Sequence, residues 1–191
     1  MPNLTVIIAS TRPGRVGLPI GTWFVERARA HGGFHVAVAD LASIHLPLLN
    51  EPEHPRLRRY RHRHTLDWSA RVDAADAFVM VTPEYNHGYP ATLKNAIDYL
   101  HEEWTGKPVG FVSYGGVAAG TRAVQQLKPV VAAVGLLPAV NAVHIPFFPQ
   151  FLDGDQLRPN AIMAESADAM LDELVRTEAL LRPQHSQPRA A

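Results

Sequence analysis

The sequence predicts an α/β protein. A doubly wound sheet of five parallel strands, in the order 2-1-3-4-5, carries helices on both faces. Three observations support this. Five short apolar runs alternate with segments whose apolar residues recur at helical spacing. The runs are continuously apolar, as strands are when both faces of their sheet are covered. Three of them end in polar loops rich in Gly, Pro, hydroxyl or aromatic side chains, and that strand order brings the three loops to one sheet edge.

The first run is Leu4 to Ala9, and it leads into Ser10-Thr11-Arg12-Pro13-Gly14-Arg15-Val16-Gly17. Val16, Ile20, Phe24 and Ala28 then mark an i+4 stripe. A helix is therefore expected from Val16–Leu18 to the stop at His31-Gly32-Gly33. A loop of hydroxyls, Gly and Arg between a first strand and a first helix is a phosphate-site pattern. The helix start offers unpaired N–H groups and the positive end of its dipole, and arginine pairs with phosphate oxygens. It is not a Walker A loop, because G-x-x-x-x-G-K is absent, and Gly14 and Gly17 do not give G-x-G-x-x-G. Asp40 lies where a dinucleotide fold has its ribose-binding acid. Without the glycine spacing it reads as the solvated end of strand two.

Strand two is expected over Phe34 to Leu41, followed by a long irregular stretch from Ala42 to His64. That stretch carries Arg56, Arg58, Arg59, Arg61 and Arg63 among His54, Tyr60, His62 and His64. His62 and His64 lack a third ligand at a recognised spacing, so no metal is expected. A solvated basic surface is the ordinary reading. The sharper one is that one or two of these arginines pair with a phosphate group of a ligand. Thr65 or Asp67 is expected to cap the short helix that follows.

Phe78 to Leu100 is the stretch around which the chain is organised. Phe78-Val79-Met80-Val81 is strand three, Pro83 ends it, and Leu93, Ala96, Ile97 and Leu100 form one helical face. Between them lies Glu84-Tyr85-Asn86-His87-Gly88-Tyr89. These residues could edge and cover a flat polar-rimmed ring, or could make a plain turn that happens to be aromatic. Strand four, Val109 to Ser113, runs into Tyr114-Gly115-Gly116. A helix with Val124, Leu127, Val131 and Val134 on one face follows, with a kink expected at Pro129. Strand five is expected over Ala139 to Val143. Phe147, Phe148 and Phe151 then share one irregular loop, which reads either as an interface anchor or as a cap on the core. The last helix carries Ala167, Met170, Leu171, Leu174 and Leu181. One domain over 1–181 and a loose tail over 182–191 result.

Composition narrows the function. At 191 residues, with 47% hydrophobic and 19% charged, the chain is an ordinary globular domain. Lys+Arg and Asp+Glu are equal at 18 each, so no net field favours nucleic acid or an anionic membrane. Zero cysteines exclude disulfides, thiolate metal sites and thiol catalysis. No targeting segment or membrane-length apolar run is read, so a cytoplasmic setting is expected.

Pro83-Glu84-Tyr85-Asn86-His87-Gly88, together with Ser10 and Arg12, resembles the NADPH-dependent FMN reductases. That flavodoxin-like family includes small quinone, azo-dye and chromate reductases. The first piece matches the family's P-E-Y-N motif. The second matches its G-S-x-R-x-x-S loop, except that Ala9 replaces the leading glycine and Val16 or Gly17 stands near the second serine. The resemblance implies that Ser10, Arg12, Arg15 and the amides of Val16 and Gly17 hold the phosphate of FMN rather than FAD. It implies that Pro83, Glu84, Tyr85, Asn86 and His87 lie along the ring edge, with Ser113, Tyr114, Gly115 and Gly116 on the other side. It implies NADPH or NADH as co-substrate, a small-molecule electron acceptor, and a homodimer or tetramer. With NADPH in play, one or two arginines of the stretch from Arg56 to Arg63 are expected to favour it by pairing with its extra phosphate. The chemistry then belongs to the flavin, and no side chain is assigned as acid or base. The alternative is a flavodoxin-type electron carrier, although carriers of that type are usually strongly acidic. A flavin-free regulatory domain on the same fold is a third reading.

Overall fold

A computed structural model describes residues 1–185. The elements run β1 (Asn3–Ile8), α1 (Gly17–His31), β2 (His35–Asp40), α2 (Leu41–Ile44), α3 (Arg63–Asp73), β3 (Ala77–Pro83), α4 (Ala91–Asp98), β4 (Pro108–Tyr114), α5 (Thr121–Ala133), β5 (Leu137–Pro138), β6 (Val143–Ile145), β7 (Leu152–Asp153), β8 (Gln156–Leu157) and α6 (Ala161–His185). The main sheet is parallel, in the order β2-β1-β3-β4-β5, with β6 also paired to β4. The expected order therefore holds. β7 and β8 form a separate antiparallel hairpin turned at Gly154 (φ 57°).

Side chains alternate across the central strands and feed two cores. Leu4, Val6, Ala77, Val79, Val81, Val112 and Tyr114 pack toward α1 and α6, where Phe24, Met170 and Leu174 meet them. Ile7, Phe78, Met80, Val109 and Phe111 pack toward α3, α4 and α5, against Trp68, Trp104 and Leu127. Burial on both faces is why these strands read as unbroken apolar runs. Gly110 is required by packing: a Cβ there would stand 2.6 Å from Met170 Sδ.

Three expectations need correction. Strand five is not continuous over Ala139 to Val143; residues 139–142 are the gap between β5 and β6, and Val143 opens β6. Pro138 has no N–H to donate. The Glu173 carboxylate on α6 takes the donors of Val140 N (2.7 Å) and Asn141 N (2.8 Å). The ladder is thus replaced by a carboxylate for two residues. Neither Thr65 nor Asp67 caps α3, because the helix already begins at Arg63. The donors just before it, Arg61 N and His62 N, go to Glu51 at 2.8 and 3.0 Å. Finally, α6 runs on to His185, so the expected loose tail over 182–191 begins inside a helix. The rest of it, 186–191, lies outside the described residues. Among the described residues no helix is long and apolar enough to cross a membrane.

Candidate functional site

The loops after β1, β3 and β4 meet at the carboxyl edge of the sheet. Arg12 and Val16 from the first, Pro83, Glu84 and Tyr85 from the second, and Tyr114 and Gly115 from the third line one shallow cleft of about 60 Å³. Phe148 completes its wall. Its ring packs edge-on to Tyr114, with centroids 5.6 Å apart, and its N–H reaches Gly115 O at 3.5 Å. A larger hollow of about 420 Å³ opens beyond Asp40, between β2 and α3. Among the described residues none of its lining side chains is a buried polar group without a partner.

The first loop is built around a tightly packed polar corner. Ser10 is fully buried, yet its Oγ has no hydrogen-bond partner among the described residues. The Tyr114 hydroxyl reaches the same corner and is close enough to interact with Ser10, although no bond of full hydrogen-bonding geometry joins the two. A Cβ on Gly17 would lie 2.1 Å from Ser10 Oγ and 2.6 Å from the Tyr114 oxygen, so only glycine lets the two hydroxyls crowd this close to the start of α1. Gly17 starts α1, and no side chain caps that helix. Its first N–H groups are therefore available to an anion. Arg12 is exposed and makes no side-chain hydrogen bond or ion pair among the described residues. A buried orphan hydroxyl, an uncapped helix start and a free guanidinium suit a ligand with several acceptor oxygens and negative charge. The loop thus fits the phosphate of FMN.

Arg15 behaves differently from Arg12. Its guanidinium grips both Asp40 carboxylate oxygens at 2.5 Å and donates to Ser10 O at 2.8 Å. Both side chains are largely buried, at 14% and 16% exposure. Burial raises the Asp40 carboxyl, but the Arg15 fork and the Ala42 N–H outweigh it and hold Asp40 below the usual carboxylate range. Asp40 is therefore an ion-paired wall of the loop and not a solvated strand end. The Arg15 side chain is committed to that wall, while its own N–H closes a turn onto Arg12 O.

In the second loop, Tyr85 and Gly88 exchange backbone hydrogen bonds at 2.8 and 2.9 Å, leaving Asn86 and His87 at the tip with φ of 49° and 69°. Left-handed backbone at a histidine is uncommon and costs energy, and such residues concentrate at functional sites. Glu84 lines the cleft but its carboxylate is already engaged. Its carboxylate is ion-paired with Arg122 and accepts Arg122 N at 3.2 Å, tying this loop to the start of α5. Burial raises Glu84, and the Arg122 contacts more than offset this, leaving its carboxyl below the ordinary value.

In the third loop, Tyr114 and Gly115 reach the cleft but the Ser113 hydroxyl does not. It is fully buried beneath, donating to Ala119 O at 2.8 Å and meeting His144 Nδ1 at 2.7 Å. Burial pushes the Tyr114 hydroxyl up to about 12, so it is a neutral donor at physiological pH. Gly116 holds Phe147 through a backbone bond of 3.2 Å. The aromatic loop divides. Phe148 and Phe151 pack against the core, while Phe147 stays 53% exposed beside the cleft.

Sequence reasoning missed Phe148, Asp40 and Arg122. Asp40 was findable, since the predicted strand order places β2 beside β1 and sets Asp40 level with Ile8. The expected NADPH-favouring role for the basic stretch is not supported by its surroundings. Arg58 lies against Asp73 and Glu103, where β3 and β4 begin, at the opposite edge of the sheet. Arg59 and Arg61 pair with Glu53, Arg63 with Asp67, and Arg56 with the His101 ring. His62 and His64 stack 5.1 Å apart, and both turn a ring nitrogen toward Asn50.

Comparison with known proteins agrees with this geometry. Residues 2–150 match the family model for NADPH-dependent FMN reductase. An NAD(P)H-dependent FMN reductase of Schizosaccharomyces pombe is 40% identical over 149 residues, covering 76% of this chain and 74% of its own. One from Nectria sp. is 33% identical over 154 residues, covering 77% and 76%. The solved flavoenzyme FerB, an NAD(P)H:(acceptor) oxidoreductase from Paracoccus denitrificans, shares the fold at a TM-score of 0.75 and 21% identity. That match covers 95% of this chain and 99% of FerB. With a flavodoxin-like sheet and a phosphate-ready first loop, the chain belongs to the NADPH-dependent FMN reductase family.

Proposed function

We propose that this chain is an FMN-dependent NAD(P)H oxidoreductase that passes reducing equivalents to a small planar acceptor such as a quinone or a free flavin. The observation that carries the reading is the orphan Ser10 Oγ packed against Gly17 at the uncapped start of α1. In this reading Ser10 Oγ, the Arg12 guanidinium and the first N–H groups of α1 hold the FMN phosphate. The Tyr85–Gly88 turn, Tyr114 and Gly115 flank the ring. Bound FMN supplies the hydride chemistry. The residues bind it, orient it and screen one side of it with Phe148. No side chain is assigned to carry a proton.

The cleft is open, and Tyr85, Val117 and Phe147 expose apolar surface on the loops that border it, at 37%, 77% and 53%. Such a rim suits a flat, weakly polar acceptor and also self-association, and a homodimer or tetramer is part of the proposal. The absence of cysteine suits a cytoplasmic setting.

The test is made on purified protein. Flavin released by denaturation should be FMN, and NADPH or NADH should be consumed when quinone is present. FAD as the main flavin would overturn the cofactor assignment. Bound FMN with no NAD(P)H consumption would make the chain an electron carrier, a reading its zero net charge already disfavours. Light scattering of a monomer at full turnover would remove the oligomer.

A further inference from the structure

We propose that Asp40 and Arg15 are a positioning pair that sets the shape of the Ser10–Gly17 loop, and so determines the preference for a phosphorylated over an unphosphorylated flavin. The inference rests on the reading of that loop as the FMN phosphate site. It goes beyond it by assigning the work to a residue on a different strand, which touches no ligand.

Asp40 ends β2, level with Ile8 at the end of β1, so its carboxylate stands beside the point where the β1 loop departs. The two oxygens are filled from both sides. Arg15 Nη1 and Nη2 take one each at 2.5 Å, and the start of α2 adds Ala42 N at 3.1 Å. Arg15 Nη1 also donates to Ser10 O at 2.8 Å. One rigid planar fork thus bridges the first residue of the loop, the loop's own far side and the neighbouring strand. Fixing the Ser10 carbonyl fixes the backbone from which its orphan Oγ projects. Pairing Arg15 also leaves Arg12 as the one guanidinium of this loop without a partner among the described residues. The site therefore offers one free positive charge and a fixed hydroxyl, rather than two mobile arginines competing for the same anion. Lysine, with a single nitrogen, cannot reproduce a fork whose two nitrogens reach three oxygens.

Apoprotein is titrated with FMN and with riboflavin, following flavin fluorescence, for the wild type, Asp40→Asn, Arg15→Lys and the double variant. The ratio of the riboflavin Kd to the FMN Kd isolates the phosphate contribution. In Asp40→Asn this ratio should fall by about tenfold, the scale of one charge-assisted hydrogen bond, with the riboflavin Kd nearly unmoved. Arg15→Lys should lose a similar factor, and the double variant no more than either alone. Three results overturn the pair's role: an unchanged ratio, equal weakening of both flavins, or tighter FMN binding because a freed Arg15 joins the phosphate. If Asp40→Asn does not fold, Arg15→Lys decides on the same criteria. A wild-type protein that does not distinguish FMN from riboflavin refutes the phosphate site itself, and the positioning role with it.

Discussion

Two segments of this molecule are rich in arginine, and they do opposite things. The stretch from Arg56 to Arg63 carries five, and each has a protein partner: His101, Asp73 and Glu103, Glu53 twice, and Asp67. The loop from Ser10 to Gly17 carries two. One is spent on Asp40, and the other has no side-chain partner among the described residues beside a buried hydroxyl that also lacks one. The basic stretch is a clamp that fastens an irregular strap to the amino edge of the sheet. The loop is a socket. The lesson is that positive charge in a sequence points to an anion site only where the fold leaves it unanswered.

The largest effect should come from breaking the clamp. Glu103 is fully buried and accepts from Ser69 Oγ at 2.7 Å and Tyr60 OH at 2.9 Å, with Arg58 Nε at 3.5 Å. Glu103→Ala strands these donors and should cost about 3 kcal/mol of folding stability. Thermal unfolding reads this, and FMN affinity at low temperature should barely change. Filling the socket comes next. Gly17→Ala drives a methyl into Ser10 Oγ and should cost about 2 kcal/mol of folding stability, read as a lowered melting temperature, with weaker FMN binding beside it.

A smaller effect tests the tie between the second loop and α5. The Glu84 carboxyl is held below its ordinary value of 4.5, so its contribution is fully present above that pH. It is lost as pH falls through the lowered value in the folded state. Glu84→Gln should remove about 1 kcal/mol near neutrality and flatten the acid limb of the stability profile. An acid limb as steep as the wild type's would show that Glu84 carries none of it. The smallest effect belongs to Arg59 and Arg61, exposed at 71% and 67% and paired to Glu53 at 3.5 Å. Replacing both by alanine should change stability by less than about 0.5 kcal/mol. The ratio of kcat/KM for NADPH over NADH should stay within about twofold. A selective loss for NADPH would restore the role their spacing suggested.

The sheet was legible because its strands are covered on both faces, and two-sided burial writes itself as Val, Ile, Leu, Phe and Met in unbroken runs. Helix α1 was legible at both ends, since Gly32 takes the left-handed backbone (φ 75°) that stops it. What stayed hidden depends on partners distant in the chain. The break between β5 and β6 is made by Glu173, about thirty residues later. The inward turn of Ser113 depends on His144, and the commitment of the Glu84 carboxylate on Arg122. Within the site, the loops could be read from the sequence. Which of their side chains are free could not, because freedom is decided by neighbours such as Asp40.

The central claim is that Arg12, and not the basic stretch, answers the flavin phosphate. Titrating flavin-free protein with FMN tests it most directly, comparing the wild type, Arg12→Ala and Arg59→Ala/Arg61→Ala. Arg12→Ala should weaken binding by about 1.5–3 kcal/mol, tenfold or more, while the double variant binds within about twofold of the wild type. Wild-type affinity in Arg12→Ala, or an equal loss in the double variant, would contradict the account.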